Sequence, residues 1–314
     1  MSLKKDLISI KDLTKSDIYS FIETAKEFKK ISLKDIKKVP TLRGKTVINL
    51  FYEPSTRTRS SFEIAQKRLS ADSLNIAISQ SSVTKGETLK DTILNLESMK
   101  PDAFVIRHHE SGAPYFISKI TKASVINAGD GINEHPTQTL LDIMTVMEEK
   151  KDISSLKVAI IGDISHSRVA RSDIFGLSML GADIYIYGPY SLLPVTGFKD
   201  IPNVRIAKGF KEAVKNADVI IMLRIQKERA GYHFIPSIEE YRNFFKLTPE
   251  LLSLASKGVM VLHPGPVNRD VEISGSIINR DKTFIFKQVE NGIAVRMACL
   301  YMLLGVQKSL EPDI

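Results

Sequence analysis

Short runs of apolar and β-branched residues alternate along this chain with longer segments in which apolar residues recur every three or four positions. The first pattern predicts buried strands and the second predicts amphipathic helices. Strands are predicted at residues 46–51, 74–78, 103–106, 124–128, 157–161, 183–187, 204–206, 219–223, 259–262 and 284–286. Helices are predicted at residues 16–30, 55–69, 89–99, 137–147, 169–180 and 291–307. Such alternation favours an α/β fold with parallel sheets covered by helices on both faces.

The pattern starts again in the middle of the chain. The helix from residue 137 ends in the charged run 148–152, and a new strand–helix–strand series begins at residue 157. A length of 314 residues suits about two domains of ordinary size. We therefore expect two doubly wound domains with central parallel sheets, 1–150 and 151–290, followed by an apolar C-terminal helix.

The stretch from Glu53 to Phe62 reads Glu-Pro-Ser-Thr-Arg-Thr-Arg-Ser-Ser-Phe and begins a predicted helix directly after a predicted strand. A helix N-terminus offers unpaired N–H groups and a partial positive charge, to which hydroxyl and guanidinium groups add donors. Arginine in a first helical turn is unfavourable for the helix dipole unless an anion compensates. The stretch therefore predicts a phosphate site; the alternative is a hydroxyl-capped helix with solvated arginines.

Other predicted strands also end in cationic or hydrogen-bonding residues. Ligands of open parallel sheets bind at the carboxyl ends of the strands. The residues that follow predicted strands include Arg57, Arg107, the segment His135-Pro-Thr-Gln138, Arg168, Arg224 and the segment His263-Pro-Gly-Pro266. Together they predict a cationic site for substrates with phosphate and carboxylate groups.

Composition and charge argue against several functions for this chain. The formal charge is +8, but the chain has no run of five basic residues and no Trp. A nucleic-acid-binding protein would need a clustered basic face or stacking aromatic residues, so this alternative is weak. The Arg43-Gly-Lys-Thr46, Gly129-Asp-Gly131 and Gly162-Asp-Ile segments lack the remaining glycines of nucleotide-binding loops.

Metal, thiol and membrane functions are also disfavoured. Cys299 is the single cysteine and lies in an apolar segment, which predicts buried packing and excludes an internal disulfide. His108 and His109 are adjacent and cannot both face one ion, and no zinc-protease spacing or serine nucleophile elbow is found. Neither an apolar leader nor a membrane-spanning run is evident, so we expect a soluble, cytoplasmic protein.

Five segments resemble the signatures of the aspartate carbamoyltransferase catalytic-chain family, within the aspartate/ornithine carbamoyltransferase superfamily. They are Ser-Thr-Arg-Thr-Arg at 55–59, Lys-Gly-Glu-Thr-Leu at 85–89, His-Pro-Thr-Gln at 135–138, Arg-Ile-Gln-Lys-Glu-Arg at 224–229 and His-Pro-Gly-Pro at 263–266. The likeness extends from about residue 7 to the C-terminal helix. It implies that the helix 291–314 returns to and completes the first domain.

The segment 55–59 is shared with ornithine carbamoyltransferases, so the acceptor is decided elsewhere. Ornithine enzymes have a His-Cys-Leu-Pro segment and an Asp-x-x-Ser-Met-Gly loop, where this chain has 263–266 and Arg224-Ile-Gln226. An arginine suits a carboxylate and a cysteine-lined site suits an ammonium group. The resemblance thus favours aspartate, and another acceptor is the runner-up among enzymes.

The resemblance implies a role for each matching residue. Carbamoyl phosphate would be bound by Ser55, Thr56, Arg57, Thr58, Ser81, Lys85, Arg107, His135, Gln138, Gly265 and Pro266. L-Aspartate would be bound by Lys85, Arg168, Arg224 and Gln226. The catalytic residues would be Arg57, Thr58, Lys85, Arg107 and His135. A cis Gly265–Pro266 bond would aim the carbonyls. Considered as single residues and apart from the resemblance, Arg59 is expected to be structural, and His108, His109 and His166 are expected to be surface or neighbouring groups.

The implied reaction gives N-carbamoyl-L-aspartate and phosphate, the committed step of de novo pyrimidine biosynthesis, without metal or other cofactor. His135 would act as a neutral hydrogen-bond donor, and the base would be either this residue or the departing phosphate. The family forms homotrimers in which the loop with Ser81 and Lys85 enters a neighbouring active site. Thr84 stands where some members have a second lysine, which leaves the charge of that loop open. Association with regulatory chains or dihydroorotase is also left open.

Overall fold

The computed structural model describes residues 4–77, 86–194, 198, 200–201, 203–225, 237–278, 281 and 283–305. The chain divides into two compact units: unit 1 is Met1–Leu141 with Val289–Ile314, and unit 2 is Asp142–Gln288. Ser81, Lys85 and Gln226, for which the resemblance implies roles, lie outside the described residues.

Strands and helices alternate through both units. The strands are β1 Thr46–Phe51, β2 Asp72–Ala77, β3 Ala103–His108, β4 Ser124–Asp130, β5 Lys157–Ile161, β6 Asp183–Tyr187, β7 Val204–Ile206, β8 Val219–Met222 and β9 Met260–Leu262. The α-helices are α1 Lys15–Ser32, α2 Thr56–Arg68, α3 Leu89–Glu97, α4 Ala113–Ser118, α5 Pro136–Lys150, α6 Arg168–Met179, α7 Phe210–Val214, α8 Ile238–Phe245, α9 Pro249–Ser253, α10 Gly275–Ile278 and α11 Ile285–Leu304.

Unit 1 contains a parallel sheet in the order β2-β1-β3-β4. The two central strands are almost fully buried and most of their residues are apolar, as expected for strands covered on both faces. Their register pairs Phe51 with Arg107, and β3 pairs His108 with Asp130 of β4. The carboxyl ends of β1, β3 and β4 are therefore neighbours along one edge of this sheet.

A buried amide pair fastens α2 to β1. Asn49 Nδ2 donates to Gln66 Oε1 at 2.9 Å, and Gln66 Nε2 donates back to Asn49 Oδ1 at 2.8 Å. Ser73 and Asn75 of β2 complete the network. Because both amides are at most 1% exposed, each depends on the other to replace the hydrogen bonds it would make to water.

We expect Gln66→Leu to lower the free energy of unfolding by about 1–3 kcal/mol, since Asn49 Oδ1 then loses the donor seen here. Urea denaturation measures the loss. Replacing Asn49 by Leu as well should recover part of it, because the double variant removes both polar partners. A single variant as stable as the wild type would contradict the interpretation.

Unit 2 contains a second parallel sheet, in the order β7-β6-β5-β8-β9. Its centre is again apolar, and β8 is buried along its whole length. One side of the sheet packs against apolar residues of α7, α9 and α10 in a single core cluster. The α/β fold class with two doubly wound, parallel-sheet domains is confirmed.

From Val289 onward, the C-terminal helix α11 belongs to unit 1. The rings of Phe28 and Tyr301 meet edge to face at 5.5 Å, and Lys29 Nζ donates to Asn291 Oδ1 at 2.6 Å. Cys299 on this helix is fully buried, which confirms the prediction of a packing role and raises the pKa of the thiol to about 12. Among the described residues, no helix is long and apolar enough to cross a membrane.

Two groups of secondary-structure expectations fail. The predicted strand at 284–286 is wrong: Phe284 N donates once to the Val261 carbonyl at 2.9 Å, and α11 begins at Ile285. The described residues also form helices that the apolar pattern does not predict, and these are α4, α7, α8, α9 and α10. Each has eight residues or fewer, too short for the apolar periodicity to repeat.

Candidate active site

The strand order of unit 1 reverses between β1 and β3. The chain passes from β1 outward to β2 on one side, then returns to place β3 on the other side of β1. Crevices at such switch points are the usual ligand sites of doubly wound sheets. Ser55–Arg59 follows β1 and Arg107 ends β3, so the predicted phosphate-binding residues flank this switch point.

Ser55 is the N-cap of α2, and its hydroxyl accepts from Thr58 N at 3.3 Å. Thr58 is buried, whereas Thr56 and Arg57 are exposed. The first turn contains no acidic residue, so nothing within the turn offsets the positive end of the helix dipole. Hydroxyl, amide and guanidinium donors thus gather at one helix start, an arrangement suited to a phosphate group.

Arg107 is held against the backbone and a carboxylate of unit 1. Its Nε lies 3.4 Å from Glu53 Oε2, and its NH1 lies 3.5 Å from the Ala128 carbonyl oxygen. The Arg107 and Glu53 side chains are only 14% and 17% exposed. Since Tyr52 N also donates to the Arg107 carbonyl at 2.8 Å, the ends of β1 and β3 are tied together. Glu53 therefore helps to fix the guanidinium.

His135 is the N-terminal residue before α5, and its carbonyl accepts from Gln138 N at 2.9 Å. The ring is buried, and its Nδ1 lies 3.5 Å from Thr137 Oγ1. Gln138 is buried one turn further along the helix. His135 and Gln138 thus belong to the same strand-end region of unit 1 as Arg107.

Two buried carboxylates shape the loop that leads to His135. Asp130 accepts four hydrogen bonds of 2.7–3.1 Å, and the donors are Gly112 N, Asn127 Nδ2, Asn133 Nδ2 and Glu134 N. Glu134 accepts from Ser9 Oγ and from Ile10 N, which ties the loop to the N-terminal segment. A loop with so many hydrogen bonds can present the His135 ring in a fixed position.

His108 is buried beside this region, and His109 lies on the surface. His108 Nδ1 accepts from Glu110 N at 2.9 Å, and its ring lies 4.5 Å from that of Tyr52. Burial, with a smaller contribution from His109, lowers the pKa of His108 from 6.5 to about 4. His108 is thus a neutral packing group in unit 1.

This pKa predicts an acid-sensitive contribution to stability. The unfolded chain takes up a proton at His108 near pH 6.5, and the folded chain does so only near pH 4. Stability is therefore lost as the pH falls from 6.5 to 4, by about 1–3 kcal/mol. We expect the advantage of the wild type over His108→Asn in urea denaturation to shrink by this amount across that range. His109→Asn is the control, and curves for His108→Asn parallel to the wild type would contradict the prediction.

The strand order of unit 2 reverses between β5 and β8, and the arginines predicted to bind carboxylates follow these two strands. Arg168 is the first residue of α6 and only 3% exposed; Arg224 lies two residues beyond β8 and is partly buried. A side chain at Gly162 would place its Cβ 2.7 Å from the Leu223 carbonyl oxygen, and Gly162 has φ +129°. The loops after β5 and β8 therefore touch, and glycine is needed where they do.

The segment 263–266 follows β9 and is held by buried side chains. His263 Nε2 lies 3.0 Å from Glu272 Oε1, and His263 Nδ1 accepts from Gly265 N at 2.8 Å. His263 N donates to Gln288 Oε1 at 2.9 Å. The Gly265–Pro266 peptide is cis, as expected from the resemblance.

The described residues contain no group of three His, Cys, Asp or Glu side chains that could hold a metal ion. Several residues that hold the predicted site residues in place lie outside the predicted binding and catalytic set. They are Glu53, Asp130, Glu134 and Glu272. The available signal was weak: each is an acidic residue within a few positions of a predicted strand end or site segment.

Two parallel sheets with arginines at their switch points are typical of proteins that bind anionic small molecules. Residues 5–148 match the carbamoyl-P binding domain of aspartate/ornithine carbamoyltransferases, and residues 154–303 match the Asp/Orn binding domain. The chain belongs to the aspartate/ornithine carbamoyltransferase family.

The proteins that are similar to this chain include both aspartate and ornithine carbamoyltransferases. The chain is 56% identical over 301 residues to the aspartate carbamoyltransferase catalytic subunit of Citrifermentans bemidjiense, covering 96% of this chain and 97% of the relative. It superposes on aspartate transcarbamoylase from Trypanosoma cruzi in complex with carbamoyl phosphate with a TM-score of 0.88 at 29% identity, covering 96% and 97%. The TM-score to ornithine carbamoyltransferase from Pyrococcus furiosus is 0.86 at 30% identity, covering 96% and 98%. The fold is therefore common to both acceptor classes.

Proposed function

We propose that this chain is the catalytic chain of an aspartate carbamoyltransferase, which transfers the carbamoyl group of carbamoyl phosphate to the amine of L-aspartate. The observation that supports this most directly is the pair of switch points: one has a hydroxyl-capped, arginine-bearing helix start, and the other is flanked by Arg168 and Arg224. The first suits a phosphate group and the second suits carboxylates.

In this proposal the helix start of α2 binds the phosphate of carbamoyl phosphate. Ser55, Thr56, Arg57 and Thr58 donate to its oxygens, and Arg107 contacts both phosphate and carbamoyl oxygen. His135 and Gln138 hold the carbamoyl group, and the Gly265 and Pro266 carbonyls accept from its amino group. Ser81 and Lys85 contribute from the neighbouring subunit of a homotrimer. Unit 1 is thus the carbamoyl-phosphate domain and unit 2 the aspartate domain.

L-Aspartate is held through its two carboxylates. Arg168, Arg224, Gln226 and Lys85 supply the donors, and a guanidinium matches a carboxylate with two parallel hydrogen bonds. This preference argues against the runner-up, a carbamoyltransferase with an ammonium-bearing acceptor such as ornithine.

The aspartate amine attacks the carbamoyl carbon, and negative charge grows on the carbamoyl oxygen. Arg57, Thr58, Arg107 and His135 stabilise that charge, and the intermediate then collapses with loss of phosphate. The amine proton passes to the departing phosphate or to His135. The protein contributes by positioning two substrates that repel each other and by stabilising the oxyanion.

The direct test is an acceptor panel. The purified protein is incubated with carbamoyl phosphate and either aspartate, ornithine or putrescine, and the carbamoylated products are quantified together with released phosphate. We expect N-carbamoyl-L-aspartate from aspartate and background rates with the two amines. Carbamoyl transfer to ornithine or putrescine in preference to aspartate would overturn the acceptor assignment, and no transfer to any of them would overturn the function.

The proposed assembly is tested separately by native mass measurement. A homotrimer of the chain is expected, and mixing with cell extract would show whether regulatory chains or dihydroorotase join it. A monomer with full activity would contradict the sharing of Ser81 and Lys85 between subunits.

A further inference from the structure

The turn at 263–268 in unit 2 is pinned at both ends by one carboxylate. Glu272 Oε1 lies 3.0 Å from His263 Nε2 and accepts from Asn268 N at 2.7 Å. Glu272 and His263 are at most 1% exposed, so water does not compete for these bonds.

The His263 imidazole, held by Glu272, in turn fixes the backbone through its other ring nitrogen. His263 Nδ1 accepts from Gly265 N at 2.8 Å, and a ring nitrogen that accepts carries no proton. The geometry therefore assigns the proton to Nε2, which donates to Glu272. These hydrogen bonds fix the backbone N–H groups of Gly265 and Asn268. The Gly265 and Pro266 carbonyls lie between these two fixed points along the chain.

Glu272 would be an unfavourable residue if its only role were to stabilise this turn. Its second oxygen, Oε2, is buried without a hydrogen-bond partner among the described residues, as is the hydroxyl of Tyr241. Burial raises the pKa of Tyr241, and Glu272 adds a smaller contribution in the same direction. Buried ionic groups of this kind often give less stability than apolar residues of the same size. Stability alone therefore does not account for a carboxylate here.

We propose that Glu272 is a positioning residue for carbamoyl transfer, which acts through His263 to aim the Gly265 and Pro266 carbonyls at the amino group of carbamoyl phosphate. The inference rests on the proposed function, because the amino group is the substrate group that those carbonyls would accept from. Glu272 itself touches no substrate.

The test compares Glu272→Leu with Glu272→Gln. Leucine removes the acceptor for both His263 and Asn268, whereas glutamine keeps an oxygen that can accept from both. We expect Glu272→Leu to lower kcat by about 10²-fold, the usual effect of a small displacement of positioning groups. The Kd of carbamoyl phosphate should rise about 10-fold, the equivalent of one lost hydrogen bond. Glu272→Gln should stay within about threefold of the wild type in both quantities, because its hydrogen bonds survive.

Inorganic phosphate separates positioning from a general loss of structure. It would be bound by Ser55–Thr58 and has no amino group, so its Kd should be unchanged in Glu272→Leu. Tyr241→Phe is the matched control, since it removes a buried hydroxyl of unit 2 and leaves every hydrogen bond of Glu272 described above. It should bind and turn over substrate like the wild type.

His263→Asn tests the same link if Glu272→Leu does not fold. Asparagine can still accept from Gly265 N but is too short to reach Glu272, so a kcat loss of about 10-fold or more with unchanged phosphate affinity is expected. The positioning role is overturned if the variants keep wild-type kcat and Kd for carbamoyl phosphate, or if phosphate and carbamoyl phosphate weaken equally. A wild-type protein that binds phosphate but not carbamoyl phosphate would instead overturn the proposed function.

Discussion

Arg57→Ala is expected to lower the turnover of carbamoyl transfer by at least about 10²-fold, and by up to about 10³-fold, in line with the removal of one donor to a developing oxyanion. Arg57 is exposed in the first turn of α2, directly beyond the Ser55 cap. In the proposed site its guanidinium meets the phosphate and the carbamoyl oxygen. The measurement is the initial rate of N-carbamoyl-L-aspartate formation with both substrates saturating.

Arg59→Ala is the matched control. Arg59 is likewise an exposed arginine at the start of α2, and both replacements leave the Ser55 cap in place. We expect Arg59→Ala to stay within a few-fold of the wild type, and both variants to unfold at the wild-type temperature, since surface substitutions rarely change stability by more than about 0.5 kcal/mol. Equal losses in the two variants, or near-normal turnover of Arg57→Ala, would contradict the assignment of phosphate binding to Ser55–Thr58.

The sheets were predictable because their strands are short, continuous apolar runs bounded by polar segments. The predicted bounds of 46–51, 157–161 and 183–187 agree with β1, β5 and β6. The run at 284–286 has the same local composition, yet Phe286 is 78% exposed on α11. A run of three apolar residues cannot distinguish a strand from a helix start, and tertiary packing decides between them.

Residues of the candidate site could be predicted from the sequence only where they follow a predicted strand. The arginines at the switch points could be found because parallel strands carry their ligands at one end. The groups that position the site depend on partners far away in sequence: Glu134 accepts from Ser9 and Ile10, more than 120 residues earlier. No local pattern encodes such a pair.

The tautomer of His263 illustrates the same limit. The His-Pro-Gly-Pro segment could be recognised from the sequence, but the proton position follows from Glu272 on one side of the ring and Gly265 N on the other. Both contacts exist only after the turn has folded. The sequence thus predicts which residues would meet the substrates, and the structure adds the carboxylates that hold those residues in place.

Arg224→Ala is expected to raise the KM for aspartate by about 10²–10³-fold. Two charge-assisted hydrogen bonds to one carboxylate would be lost at about 1.5–3 kcal/mol each, and water would recover part of the loss. The Kd of carbamoyl phosphate, measured without aspartate, should be unchanged, since Arg224 follows β8 and the proposed phosphate residues follow β1.

Arg205→Ala is the control: this exposed arginine of the same sheet pairs with Asp183 at the surface, where an ion pair contributes little. Its KM for aspartate should match the wild type. If Arg224→Ala weakened carbamoyl phosphate and left the KM for aspartate unchanged, the acceptor carboxylate would have to be bound by other residues, and the choice of aspartate over ornithine would lose its main physical support.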